Sequence, residues 1–459
     1  MRFPSTMVVF GSLICWCTAV APLGAHAQAE APAAAVAAMA APAASAADGS
    51  TPGRTLTLDQ ALALARRANK SLVVERARVA QAQTSLDQAF TVLFPTLTAQ
   101  GKYTRNNAQA AFPIMGSLAT IQPYNQLDGA VNFSTLLFAP AVYPGLKAVE
   151  SSVTSAEENM RSAEDSVLVS VAQTFYAAAI ADEVLAARDS NIAVARATWD
   201  TARTRFGAGA VTKVDVDRAE IAVLRAEQAK REAVLGQSQS YRALATLIEL
   251  DEPFRVVPPA NAFEPEGAEA EGQDLGAVLK LRPEFRALEA TARQADHERS
   301  ADAWRWAPSI SAFGNARIFN YKNFTLENHS WAVGATLDWV LYDGGNRDTL
   351  RHLQIAKLSE AMARAEVLRE NIRDDIANGK VQVRTKHQAQ LTAERSVGLA
   401  QETVDLTRTQ YEAGSATQID VLQAQDALVV ARDELARAHF DVALAALSLR
   451  RASGTFPPR

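Results

Sequence analysis

Hydrophobic and polar residues follow two different periods along this chain, and the change between them happens twice. From Thr57 to about Phe90, Leu58, Leu62, Ala65, Leu72, Ala80 and Leu86 recur near the helical period. Asp59 is a favourable charge at the start of that helix. After Pro95 the period becomes two: Leu97, Ala99, Gly101 and Tyr103 alternate with Thr96, Thr98, Gln100, Lys102 and Thr104. After Pro308, Ile310, Ala312, Gly314 and Ala316 alternate with Ser309, Ser311, Asn315 and Arg317. Each strand has a partner further on. Val131, Phe133 and Leu137 alternate with Asp128, Asn132 and Ser134, and Trp331, Val333, Ala335, Leu337 and Trp339 with Gly334, Thr336 and Asp338. The segments between partners, 105–125 and 319–330, read as loops rich in Asn, Gln, Pro and aromatics.

Each hairpin is followed by a long helix. Residues 139–205 and 344–410 carry hardly a Gly or Pro after their first positions, which gives helices about 100 Å long at 1.5 Å per residue. Such lengths point to coiled coils. Val421, Leu428, Leu435, Val442 and Leu449 are seven apart, and Ala424, Ala431, Ala438, Ala445 and Ala452 repeat three positions later. That is an a/d heptad with alanine in one seam, where neighbouring helices approach closely. Between the long helices lie two related turns. Arg205-Phe-Gly-Ala-Gly-Ala-Val-Thr-Lys-Val-Asp-Val-Asp-Arg-Ala219 matches Gln410-Tyr-Glu-Ala-Gly-Ser-Ala-Thr-Gln-Ile-Asp-Val-Leu-Gln-Ala424. A period this long, once repeated, indicates an internal duplication rather than a solenoid.

The duplication organises the chain. Residues 55–250 form a first repeat of helix, two strands, long helix, tip and helix, and 275–453 form a second. A Pro- and Glu-containing linker, 251–274, joins them, and 454–459 form a short tail. Arg2, the apolar run from Met7 to Val20 and Ala25-His-Ala27 have the layout of a secretory signal over 1–27. Residues 28–54 are an Ala/Pro-rich leader with little reason to pack. Both cysteines, Cys15 and Cys17, lie in the signal; lipidation at Cys15 is the alternative there, and Leu13-Ile14 before it match that processing poorly.

The 459 residues carry a net charge of -5, with no basic footprint for nucleic acid. No later stretch approaches the roughly 20 apolar residues of a membrane helix, so a membrane-spanning reading requires a β-barrel. Two hairpins with one face on a soluble core are the alternative; export, and the lack of a soluble domain around the strands, favour the membrane. Four strands cannot close a barrel, whereas three identical chains supply twelve, together with twelve helical columns around a lumen. Phe94, Phe138, Trp306, Trp339 and Tyr342 cluster where strands meet helices, either as an interfacial girdle or as caps on a core.

The Pro-started strands, the Leu341-Tyr-Asp-Gly-Gly345 motif, the two Gly-containing tips and the Asp420-Val-Leu422 run with its alanine heptads together resemble the TolC-like outer-membrane factor family. The resemblance spans roughly residues 55–453. It implies a mainly α fold with a membrane β-barrel: a homotrimer with a twelve-stranded barrel in outer-membrane lipid and a long α-helical barrel in the periplasm. It also implies an exit duct for a tripartite efflux pump exporting small molecules, or for type I protein secretion. The partners so implied are a periplasmic adaptor and an inner-membrane pump of RND, ABC or MFS type.

By that resemblance the tips, with Phe206, Gly207, Gly209, Tyr411 and Gly414, would dock the adaptor. The glycines suit a left-handed turn position, so simple chain reversal explains them as well. Asp420 matches a family position whose carboxylates ring the periplasmic entrance, while a helix N-terminal carboxylate is its plainer role. Asp215 and Asp217 occupy the corresponding turn of the first repeat. Some members carry a second Asp where this chain has Gln423, and a gating Arg where it has Ala416. No catalytic, metal or cofactor pattern emerges: His297, His329, His352, His387 and His439 lack paired ligand spacing, and Gly207-Ala-Gly209 lacks the Lys-Ser/Thr of a phosphate loop. A periplasmic coiled-coil scaffold or adaptor without a pore is the reading from another class, and two matched membrane hairpins argue against it.

Overall fold

The computed structural model describes residues 54–114, 117–259, 274–321 and 327–456. The expected signal, both cysteines, nearly all of the leader, most of the linker and the last tail residues lie outside these. The chain runs β1 (Arg54–Leu56), α1 (Leu58–Ala68), α2 (Lys70–Phe90), β2 (Thr96–Arg105), β3 (Ala110–Ile114), β4 (Ser117–Gln122), β5 (Asn125–Phe138) and α3 (Val142–Gly207). It continues through α4 (Lys213–Ile248), β6 (Phe254–Val256), α5 (Leu275–Leu281), α6 (Pro283–Trp304), β7 (Ser309–Phe319), β8 (His329–Asp338), α7 (Asn346–Glu412) and α8 (Gln418–Ala452).

Four strands form one antiparallel sheet in the order β2-β5-β7-β8. Its register places Leu97, Phe133, Gly314 and Val333 in one row, and Ala99, Val131, Ala316 and Trp331 in the next. Directly paired residues share a face and successive ones alternate, so these rows make one apolar surface. The opposite face carries Thr98, Asn132 and Asn315, then Gln100, Arg317 and Ser330. Leu97, Trp331 and Val333 are 72%, 74% and 77% exposed, so none of the described residues covers the apolar side. A soluble hairpin would bury that side. Phe94, Phe138, Trp306, Trp339 and Tyr342 are likewise exposed at the strand–helix boundary, which favours a girdle over core caps.

Each sheet strand is a prolongation of a helix. α2 leads into β2, β5 into α3, α6 into β7 and β8 into α7. The helices pack in the same lateral order as the strands, α2 on α3, α3 on α6 and α6 on α7. Beyond them, α3 pairs with α4 and α7 with α8. In the α8 heptad, Val421, Leu428, Val442, Leu449 and all five alanines are buried, and Leu435 is half-buried. Gly379 of α7 lies so close to Leu449 that an added Cβ would come within 3.2 Å of it, a direct result of the small-residue seam.

The main core forms a collar where α1, the middle of α3 and the ends of α4 and α8 meet the parallel pair β1–β6. Phe175, Leu168, Leu244, Ile248 and Leu56 are fully enclosed there. Thr57 opens α1 with a capping box to Gln60, and Asn69 interrupts the expected continuous first helix by capping α2 and donating to the Leu247 carbonyl at 2.9 Å.

Three expectations require correction. The segment 105–125 contains the hairpin β3–β4, because the run Ala110-Ala-Phe-Pro-Ile114 and the run Ser117-Leu-Ala-Thr-Ile-Gln122 pair with each other rather than with the main sheet. Phe254–Val256, placed in a linker, is β6, held by its pairing to β1 and the burial of Val256. α3 does contain an 18-residue window with a mean hydropathy of 1.3, apolar enough by composition to cross a membrane. It belongs to a 66-residue helix whose Leu168, Val171 and Phe175 are in the collar core.

The Leu341–Gly345 motif builds the junction into α7. Asp343 accepts from the backbone N–H of Arg347 at 3.0 Å and pairs with its Nε at 3.1 Å. The Arg347 guanidinium, almost wholly buried, stacks over the Trp306 ring at 3.8 Å and donates to the Arg305 carbonyl. This joins the end of α6 to the start of α7 across the hairpin.

Lysine at Leu97 and at Val333 should each cost about 2–4 kcal/mol if these positions lie near the midplane of a bilayer. The expected outcome is loss of heat-modifiable oligomers from outer-membrane fractions. Normal insertion of the double variant would show that the faces are reversed.

Candidate functional site: the paired helical tips

Both tips end their helix in the same way. At the first, Gly209 N–H donates to the Phe206 carbonyl and Ala210 N–H to the Arg205 carbonyl, both at 2.9 Å. At the second, Gly414 donates to Tyr411 at 3.1 Å and Ser415 to Gln410 at 2.9 Å. These are Schellman closures, and they require a left-handed residue at the glycine. Gly209 has φ +72° and Gly414 φ +81°, and neither would meet another atom with an added Cβ. The constraint is therefore backbone conformation, not space.

The next helix starts equally alike. Thr212 Oγ1 accepts from Asp215 N–H, and the Asp215 carboxylate accepts from the Thr212 backbone at 3.0 Å and its hydroxyl at 2.7 Å. Thr417 and Asp420 repeat the box, at 2.8 Å and 2.7 Å. Thr-x-x-Asp is a capping signature that was legible in both tip sequences. Hydrogen bonds from Thr212 and Thr417 hold the Asp215 and Asp420 carboxyls below their ordinary 3.8. Each cap is therefore complete above that pH and is lost as pH falls through the lowered value.

The three acidic residues differ in their surroundings. Asp217 pairs with Lys213 at 2.6 Å, and Asp215 has Arg218 at 3.8 Å. Asp420 is exposed and makes no ion pair among the described residues, so its charge is not locally neutralised. The cap is thus an observed role for Asp420, compatible with a field projected into solvent.

The matched aromatics also differ. Phe206 is exposed, as are Gly207 and Gly209, whereas Tyr411 is only 6% exposed. Arg205 covers Tyr411: its guanidinium lies 4.3 Å from the ring centre and donates to the Tyr411 and Glu412 carbonyls at 2.8 Å and 3.1 Å. One tip thereby clamps the last turn of the helix entering the other. No sequence pattern signals this contact, since Arg205 is aligned with Gln410 between the two tips. Gln418, the first residue of α8, is 3% exposed and neither of its amide atoms is hydrogen-bonded among the described residues; the Tyr411 hydroxyl is likewise unpartnered.

A sheet apolar on one side and polar on the other, prolonged by helices to paired tips, defines a channel subunit of the barrel-and-tunnel class. The chain belongs to the outer membrane efflux protein family, whose pattern matches residues 61–249 and 275–455. Its location is the outer membrane. Nodulation protein T of Rhizobium leguminosarum bv. trifolii is 25% identical over 395 residues, covering 80% of this chain and 78% of that protein. Outer membrane protein TolC of Vibrio cholerae serotype O1 is 24% identical over 366 residues, 76% of this chain and 81% of the other. Among solved structures, CusC, described in terms of transmembrane channel formation, superposes with a TM-score of 0.76 at 15% identity, over 86% of this chain and 91% of its own. The fold is that of the TolC-like channels.

Replacing Arg205 by alanine removes one ring contact and two charge-assisted hydrogen bonds, a local loss of about 1–3 kcal/mol. Faster hydrogen exchange across residues 411–417, with the collar helices unaffected, is the expected result. Unchanged exchange there would remove Arg205 as a clamp.

Proposed function

We propose that three copies of this chain close edge to edge into a twelve-stranded barrel and form the exit duct of a tripartite efflux pump. The observation carrying this is the four-stranded sheet with one bare apolar face, two open edges and a helix continuing every strand. Unpaired strand edges are untenable in hydrocarbon, so β2 of one copy takes β8 of the next. The polar face then lines a lumen that the helices extend into the periplasm. Such a duct performs no chemistry of its own. An inner-membrane pump supplies the energy and the cargo, which we assign to small molecules.

The tips are the adaptor contact in this reading. Phe206, Gly207 and the turn glycines present exposed backbone and one exposed ring, while Tyr411 contributes from beneath Arg205. Asp420, without a counter-charge, supplies the negative entrance field.

Asp420→Asn should lower cation selectivity and weaken block by multivalent cations in single-channel recordings, with smaller effects from Asp215→Asn and Asp217→Asn. Identical reversal potentials and block would take Asp420 out of the pore and leave the duct in place.

Valine at Gly414 forces a β-branched residue into the left-handed region, at about 1–2 kcal/mol. Membrane trimers should persist while export, read as drug susceptibility of the cells, is lost. A parallel fall in trimer yield would make the tip a folding element instead of a docking one.

A further inference from the structure

The polar face of the sheet is not evenly charged. Lys102 and Arg317 stand near the loop-side end of the strands, and Asp338 at the opposite end of the same face. Lys102 is directly opposite Asp128, a cross-strand pairing that would ordinarily neutralise both. It does not do so here. Asp128 accepts from the Tyr321 hydroxyl at 3.0 Å through one oxygen and from Gln126 Nε2 at 2.8 Å through the other. Gln126 in turn accepts from Asn106, and Asn320 ties the two loop regions together through the Leu127 N–H and the Asn125 carbonyl.

That network keeps Asp128 pointed at its neutral partners. The Lys102 and Arg317 side chains are exposed and make no hydrogen bond or ion pair among the described residues. Among the described residues at this end, Arg105 bonds Asn125 and stacks on Tyr124, and Glu327 lies 3.6 Å from His329. Among the described residues, each chain therefore offers Lys102 and Arg317 as cations without a side-chain partner, while Asp128 is committed elsewhere.

We propose that Lys102 and Arg317 form an anion-binding ring at the outer end of the lumen. This rests on the duct reading above, which makes the polar face the lumen wall and brings three copies of the pair around one axis. The ligand class is a small, soluble, multivalent anion bearing phosphate or carboxylate groups. Six cations facing a confined aqueous lumen attract such a group far more than the same charges would on an open surface. The exit thus has the opposite sign from the tip carrying Asp420, and the two ends of one duct discriminate charge in opposite senses.

Purified wild-type trimers in planar bilayers provide the test, with inorganic tripolyphosphate as the probe. Added on the loop side, it should block current at concentrations about tenfold lower than from the tip side, and the block should weaken as salt is raised. Lys102→Gln with Arg317→Gln should abolish the side preference, while Lys102→Arg with Arg317→Lys should keep it; trimer yield and open conductance report that both variants fold. Equal block from the two sides in wild type, or side-specific block that survives the glutamine pair, overturns the ring and leaves the duct. Wild-type trimers that carry no ionic current overturn the duct and the ring with it.

Discussion

Backbone hydrogen bonding in hydrocarbon is the constraint on which this architecture depends. Within the four-stranded sheet, β5 and β7 are paired on both sides, but among the described residues β2 and β8 each leave a row of amides and carbonyls open. Water can satisfy such an edge and lipid cannot. The bare apolar face takes the sheet out of water, and the open edges then demand further strands of the same kind. A single chain is an incomplete object for this reason, and its four strands must be continued by those of other copies.

The same constraint reaches the helices. Because α2, α3, α6 and α7 continue the strands in their lateral order, the spacing of the sheet and the packing of the helices have to be reconciled at one boundary. Arg347 does this on one side by joining Asp343, the Arg305 carbonyl and the Trp306 ring. Further down, the collar around Phe175 and the β1–β6 pair holds the ends of both repeats against α3. The alanine seam of α8 lets helices approach closely without large side chains, so there the long hairpins gain area from length more than from bulk.

At the tips, the groups that close the helices also set the exposed charge. Asp215 and Asp420 close their helices in identical boxes, yet only Asp420 is left without a counter-charge. Arg205 breaks the symmetry of the repeat by reaching from one tip to the other and covering Tyr411. The two tips therefore have matched backbones and unmatched surfaces.

Much of this was legible along the chain, since local periodicity reports local geometry. The four sheet strands, the two long helices, the alanine heptad and both tips each announce themselves by spacing, and Thr-x-x-Asp with Ala-Gly marks the caps and closures on either side of each turn. The hairpin β3–β4 and the strand β6 were not legible, being short, without sustained alternation and dependent on partners elsewhere. Arg205 over Tyr411, Arg347 over Trp306, and an Asp128 withheld from Lys102 were beyond sequence for a related reason. Each depends on residues far apart in the chain meeting in a particular rotamer, and only the packed helices and paired strands decide which side chains meet.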